Sequence, residues 1–126
     1  MRVLVVEDSE AMRAFVRGAL EGVAEADRLE VVEASGGFEA LRLLPRGPYD
    51  VVITDINMPD INGLELLNFI RKSSQHQATK VLLISTQAGE KDRERGLALG
   101  ANAYLTKPFT AEALREAVLR LHSGQG

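Results

Sequence analysis

The five residues VVITD at positions 51–55 run from a β-branched apolar stretch directly into a hydroxyl and a carboxylate. Two further runs, residues 3–6 and 81–84, are apolar throughout. Continuous apolar runs of this length predict strands that are buried on both faces, as in a parallel sheet covered by helices. The more mixed segments 29–34 and 103–105 predict two strands at the edges of the sheet.

Segments with helical periodicity separate the predicted strands. Their apolar spacing and composition predict five helices, over residues 12–23, 38–44, 64–70, 88–99 and 114–121. Ser9 and Thr110 are placed to cap the first and the last helix, and Pro45 and Gly47-Pro48 are placed to end the second. The charged segment 90–95 has no apolar stripe, so we expect the fourth helix to pack loosely at its N-terminal end.

This strict alternation predicts an α/β fold with a doubly wound (βα)5 arrangement, in which helices cover both faces of a five-stranded parallel sheet. The flavodoxin-like strand order 2-1-3-4-5 places the three apolar strands inside and the two mixed strands outside. We expect one domain over residues 1–122 and a short flexible tail over residues 123–126. Ligands of such folds bind at the carboxyl ends of the strands, near the reversal between strands 1 and 3.

Composition excludes several functional classes. The 126 residues are 45% hydrophobic and 26% charged, with a formal net charge of −3, which is typical of a globular protein and too acidic for a general nucleic-acid binder. The absence of cysteine excludes disulfides and thiol catalysis. No segment approaches the roughly 20 apolar residues of a membrane span, so we expect a cytoplasmic protein. His76 and His122 are expected at the surface, without a function.

Polar residues follow four of the predicted strands, and they should meet at one edge of the sheet. In strand order they are Glu7 and Asp8; Thr54, Asp55 and Asn57; Ser85 and Thr86; and Thr106 and Lys107. Crowded carboxylates repel one another unless a cation lies among them. Oxygen ligands without His or Cys favour Mg²⁺, with Mn²⁺ as the alternative. A cation, an ammonium and a hydroxyl together suit a phosphoryl group, and a free carboxylate there can form an acyl phosphate.

Each of these features also has a purely structural interpretation. Glu7-Asp8 are acids that can open a helix, where the helix dipole favours negative charge. Asp55 can be a turn residue, the pairs Met58-Pro59 and Asn62-Gly63 form turns, and Tyr104 can be a packed edge aromatic. These interpretations are weaker in combination, because four separate strand ends supply chemically compatible groups.

Four segments, taken together, resemble the receiver domain of two-component response regulators. They are VLVVEDS (3–9), DVVITDINMPDING (50–63), VLLIST (81–86) and GANAYLTKPF (100–109), and they lie in register across essentially the whole chain. The central DxNMPxxxG combined with the later KPF is highly specific, and the chain is most similar to stand-alone, chemotaxis-type members. Glu7, where many members have Asp, and Ser85, where many have Thr, are mild departures from the pattern.

The resemblance implies a role for each matching residue. Asp55 matches the phosphoacceptor. The implied metal ligands are Asp8, Asp55, the backbone carbonyl of Asn57 and, through water, Glu7. The implied phosphoryl-binding and switch residues are Ser85, Thr86, Lys107 and Tyr104, of which Tyr104 turns inward on activation. The bond between Lys107 and Pro108 is usually cis in the family.

The resemblance also implies a signalling switch rather than an enzyme. A histidine kinase would supply the phosphoryl group in a Mg²⁺-dependent reaction, and the domain would assist its own phosphorylation and dephosphorylation. The fourth helix, the fifth strand and the fifth helix would form the face that contacts a downstream protein. We expect a monomer or weak dimer, with no nucleic-acid or membrane partner.

Three other functions remain open on sequence alone. A haloacid-dehalogenase-type phosphatase also uses an Asp nucleophile and Mg²⁺, but it normally has a second Asp where this chain has Asn57. A pseudo-receiver, which binds partners without being phosphorylated, would be expected to lack Asp55 or Lys107, and both are present. A flavodoxin would need a Ser/Thr-rich phosphate loop after the first strand, where Glu7-Asp8 would instead repel phosphate.

Overall fold

The computed structural model describes residues 1–23, 28–86 and 90–124. The strands are β1 (Arg2–Val6), β2 (Glu30–Ala34), β3 (Val51–Asp55), β4 (Lys80–Ser85) and β5 (Ala103–Thr106). The helices are α1 (Glu10–Glu21), α2 (Gly37–Leu43), α3 (Gly63–Lys72), α4 (Glu90–Ala98) and α5 (Ala111–His122). All strand pairs are parallel and the sheet order is β2-β1-β3-β4-β5, which confirms the predicted fold class.

The core lies on both faces of the three inner strands. Because successive strand residues point to opposite faces, β1 sends Leu4 and Val6 into one apolar cluster and Val3 and Val5 into another. The first cluster is completed by α2 and α3, and the second by α1 and α5. The edge strands β2 and β5 are only partly buried, which is why their sequences are mixed.

Side-chain caps fix the starts of three helices. Ser9 and Thr110 cap α1 and α5 as predicted, and each accepts a hydrogen bond from the backbone N–H three residues later, at 3.2 and 3.0 Å. Asn62, expected only as a turn residue, caps α3 in a reciprocal capping box with Glu65. Each such cap stabilises a helix by about 1 kcal/mol, so the caps set where the strand-to-helix loops end.

The ends of the second and fourth helices lie close to their predicted positions. The α-helical part of α2 ends before Pro45, and a 3₁₀ turn over Leu44–Arg46 then runs to Gly47, in agreement with the predicted stop at Pro45 and Gly47-Pro48. Proline is tolerated there since the first residues of a helical turn have no partner for their N–H groups. The fourth helix was expected over residues 88–99, and residue 88 lies outside the described residues. The helix ends at Ala98, two positions before Gly100, whose φ is +104°.

The predicted loose packing of the fourth helix agrees with its burial. Within residues 91–98 only Gly96 is buried, and Leu97 is 48% exposed. At the other end of the chain, α5 ends at His122, where the domain was expected to end, and residues 125–126 of the expected tail lie outside the described part. None of the helices in the described segments is long and apolar enough to cross a membrane.

The expected surface position of His76 is wrong. Its side chain is 2% exposed, and its ring stacks on Tyr49 with 6.5 Å between the ring centroids. The polar segment after α3 misled the prediction, because a 3₁₀ turn over Ser74–His76 directs the ring inward. Burial lowers the pKa of His76, and no hydrogen bond within the described residues reaches its Nδ1 atom. His122 is exposed as expected.

We expect His76 to make the fold less stable as the pH falls from about 7 to about 5. Its folded-state pKa lies below the unfolded value of 6.5, so the unfolded chain binds the proton more readily and stability is lost on acidification. In His76→Gln, the free energy of urea unfolding should change less over this interval than in the wild type. The control Gln75→Asn, at an exposed position of the same 3₁₀ turn, removes no titrating group and should keep the wild-type slope. Equal slopes for His76→Gln and wild type would contradict the prediction.

Candidate functional site

The carboxyl ends of β1, β3 and β5 bring two acids and a lysine into direct contact. Glu7 follows β1, Asp55 ends β3, and Lys107 follows β5. The Nζ atom of Lys107 lies 2.8 Å from Glu7 Oε1 and 3.1 Å from Asp55 Oδ2. The side chains of the three residues are 13% exposed or less. The predicted convergence of groups from separate strands is therefore observed for these residues.

Lys107 keeps its positive charge in this setting. Burial by itself would lower the pKa of the ammonium, but its hydrogen bonds to Glu7 and Asp55 and its attraction to both carboxylates raise the pKa above the usual value. Such compensation matters because an unpaired charge in a protein interior costs several kcal/mol. The lysine thus neutralises part of the charge that the two buried carboxylates bring to the sheet edge.

A third carboxylate leaves the cluster negatively charged. Carboxylate oxygens of Glu7, Asp8 and Asp55 all lie within 4.8 Å of one another. Partial burial of the carboxyl and the neighbouring Glu7 raise the pKa of Asp8, although its side chain is largely exposed. Three acids face one ammonium, and every donor is oxygen. This donor set fits a hard divalent cation, whose charge would relieve the repulsion.

The backbone around Glu7 is held from several sides. Its amide donates to the carbonyl of Ala34 at 3.0 Å, and its Oε2 accepts the backbone N–H of Ser9 at 3.0 Å. Arg13, on α1, donates from Nη1 to the Glu7 carbonyl at 2.9 Å. No sequence pattern pointed to Arg13, because a single arginine among the polar residues of an amphipathic helix has no distinguishing spacing. These bonds fix Glu7 at the position where Lys107 meets it.

The backbone directly after Asp55 is hydrogen-bonded to the start of α3 and to β4. The amide of Gly63 donates to the carbonyl of Ile56 at 2.8 Å, and the amide of Ile56 donates to the carbonyl of Ile84 at 3.0 Å. A Cβ atom on Gly63 would lie 2.3 Å from the carbonyl oxygen of Asp55. The sequence identified Gly63 as a turn former and as the last glycine of the DxNMPxxxG motif, and the structure shows that it lets the helix approach the backbone of Asp55. Asn57 lies exposed in the loop between these contacts.

The remaining predicted residues lie on or beside the neighbouring strands. Ser85 is fully buried at the end of β4, and its carbonyl accepts the amide of Lys107 at 2.7 Å. Thr86 is the next residue and is exposed, while Tyr104 on β5 is half-buried against the core. The peptide bond between Lys107 and Pro108 is cis. A second cis bond, before Pro48, was not predicted from the sequence.

Comparison with known proteins finds similar sequences over nearly the whole chain. The family model for the response regulator receiver domain matches residues 3–119. A chemotaxis protein CheY homolog of Campylobacter jejuni is 37% identical over 130 aligned positions, which cover 100% of this chain and 98% of that protein. Chemotaxis protein CheY1 of Helicobacter pylori is 37% identical over 117 positions, which cover 92% of each chain.

Solved structures show the same similarity. The chemotaxis response regulator CheY4 of Vibrio cholerae superposes with a TM-score of 0.86 at 34% identity, covering 95% of this chain and 97% of that one. The receiver domain of Francisella response regulator 1452 superposes with a TM-score of 0.86 at 31% identity, covering 99% and 98%. The likeness therefore extends over nearly the whole length of each chain.

Gly63→Ala should destabilise the protein by about 1–3 kcal/mol, because the added methyl group overlaps the Asp55 backbone. Gly18→Ala is the matched control. Gly18 lies exposed within α1, and a Cβ atom there would have no neighbour within 4 Å, so alanine should stabilise by about 0.5–1 kcal/mol through helix propensity. Urea unfolding of the two variants measures both effects. An equal stabilisation by both alanines would refute the proposed contact.

Proposed function

The chain belongs to the response regulator receiver domain family, and from this premise we propose that it is a single-domain response regulator phosphorylated on Asp55. Members of this family are signalling switches rather than classical enzymes. The observation that carries the proposal is the contact between Lys107 and Asp55, which is one of three crowded carboxylates. The Campylobacter jejuni relative, a chemotaxis protein CheY homolog, matches this chain over 98% of its own length. The family match also removes the phosphatase and flavodoxin alternatives.

The proposed reaction is phosphoryl transfer from a histidine kinase. One Asp55 oxygen attacks phosphorus in line, so that an O–P bond forms while the P–N bond of the phosphohistidine breaks and the imidazole leaves. Lys107, 3.1 Å from Asp55 Oδ2, then pairs with the phosphoryl oxygens. Water later hydrolyses the acyl phosphate, so that the Asp55 O–P bond breaks, inorganic phosphate is released and the Asp55 carboxylate is restored. The domain thereby assists both its own phosphorylation and its own dephosphorylation.

The residues present suit Mg²⁺, with Mn²⁺ as the alternative. The ligands we propose are Asp8, Asp55, the backbone carbonyl of Asn57 and, through water, Glu7. Both carboxylate oxygens of Glu7 already accept hydrogen bonds, from Lys107 and from Ser9, which supports an indirect role. When bound, the cation would supply charge neutralisation for the phosphoryl oxygens. Asp8 is exposed and gives the cluster an opening to solvent.

We further propose that the signal leaves through the face formed by α4, β5 and α5. Ser85 would bind the phosphoryl group together with Thr86 and Lys107, drawing Thr86 inward and giving Tyr104 room to turn. The described part of α4 buries little surface, so its displacement costs little free energy. The partners would be the kinase and a downstream protein in the cytoplasm, and the protein would be a monomer or weak dimer.

Acetyl phosphate with Mg²⁺ should add a single phosphoryl group, detected by intact mass, and peptide mapping should place it on Asp55. Asp55→Asn keeps the shape but removes the nucleophilic charge, so no adduct should form. Asp50→Asn, at the opposite end of β3, is the control and should label as the wild type does. Asp8→Asn, or chelation of Mg²⁺, should slow labelling. An adduct on another residue, or none in the wild type, would refute the proposal; the latter would indicate a pseudo-receiver.

Ser85→Ala should allow phosphorylation of Asp55 but block the structural response. The lost hydroxyl removes one charge-assisted hydrogen bond, about 1.5–3 kcal/mol, which is enough to return most of a two-state population to its resting form. Amide NMR shifts of α4 and Tyr104 before and after phosphorylation measure the response. Thr106→Ala removes an exposed hydroxyl nearby and should respond normally. A full response in Ser85→Ala would exclude Ser85 from the coupling route.

A further inference from the structure

Asp60, in the loop between β3 and α3, binds the first turn of α2 through its side-chain carboxylate. Its Oδ1 accepts the backbone N–H groups of Gly37 at 3.1 Å and of Ile61 at 2.8 Å, and its Oδ2 accepts that of Phe38 at 2.9 Å. Gly37 and Phe38 form the first turn of α2, 22 or more residues earlier in the chain. One exposed carboxylate therefore holds the loop tip against a helix that supplies no member of the acidic cluster.

The facing segment is shaped for this contact. A Cβ atom on Gly36 would lie 2.9 Å from Asp60 Oδ2, and one on Gly37 would lie 2.0 Å from the side chain of Ile61. Both glycines are therefore needed for the close approach of loop and helix. The N–H groups of Phe38, Ile61 and Gly37 lower the pKa of Asp60, so the carboxylate is charged at neutral pH. Charge-assisted hydrogen bonds of this kind are stronger than neutral ones.

The same loop is also held at both ends. Ile56 and Gly63 share a backbone hydrogen bond, and Asn62 caps α3. Asn57 lies between the fixed start of the loop and the tip that Asp60 attaches to α2. Without the Asp60 carboxylate, the loop tip would lose its hydrogen bonds to the backbone N–H groups of Gly37 and Phe38 on α2. The contact of Asp60 with α2 is therefore a third restraint on the loop that carries Asn57.

We propose that Asp60 is a positioning residue for the metal site. It holds the loop that carries Asn57 in place by binding the first turn of α2, and this inference rests on the proposed role of Asn57 as a ligand. Outer contacts that orient a metal ligand commonly affect affinity, even though they do not touch the ion. Linkage then requires the reverse effect, so that metal binding should also stabilise the contact between Asp60 and α2.

The test compares Asp60→Asn with the matched control Glu39→Gln. Glu39 also lies on α2 and accepts a backbone N–H, that of Ser35 at 2.8 Å, but it is bonded to no residue of the loop. Both variants exchange one carboxylate for an amide on the same side of the molecule. Calorimetric titration with Mg²⁺, well below each unfolding temperature, should show affinity weakened about tenfold in Asp60→Asn. Glu39→Gln should bind as the wild type does, and Asp60→Ala should bind more weakly than Asp60→Asn.

A second measurement separates this inference from the proposed function. In the metal-free protein, NMR relaxation should show lower backbone order at Asn57 and Met58 in Asp60→Asn than in Glu39→Gln. Weakened affinity together with lower order supports the positioning role. Unchanged affinity, or unchanged order at Asn57, overturns it. If the wild type binds no Mg²⁺, the proposed metal site fails, and the relaxation comparison alone then decides whether Asp60 fixes the loop.

Discussion

The ion pairs of Lys107 with Glu7 and Asp55 are the condition under which two carboxylates can be buried at one edge of the sheet. The lysine comes from the last strand and the acids from two inner strands, so the contact exists only when β1, β3 and β5 are correctly placed. An unpaired buried charge destabilises a fold, so the ammonium of Lys107 and the two carboxylates can be buried only as paired groups. The site and the strand order therefore support each other energetically.

Lys107 neutralises only part of the negative charge of this cluster, and the remaining charge favours the binding of a cation. Asp8 adds a third carboxylate whose pKa is raised, first by partial burial and then by Glu7, which marks a site where negative charge is in excess. A cation or a transferred phosphoryl group changes that balance. Under the proposed function, a change of charge at this point would be converted into a change of structure.

Backbone approach matters at this site as much as side-chain chemistry. Gly63 lets α3 begin against the carbonyl of Asp55, and Gly36 and Gly37 let the loop tip reach α2. The Asp60 carboxylate accepts hydrogen bonds from backbone N–H groups of α2 and is not a member of the acidic cluster. The loop that follows β3 is consequently held by two helices, although only one of them follows it in the sequence.

Local patterns were sufficient for the strand order, the caps at Ser9 and Thr110 and the identity of the acidic residues, because apolar runs and capping residues act over a few neighbouring positions. They were insufficient for His76, whose polar neighbours suggested exposure while its ring packs against Tyr49. They also gave no indication that Asp60 binds α2. Such contacts join residues more than 20 positions apart, and their energies depend on distances and burial that arise only when the sheet and its helices are packed together.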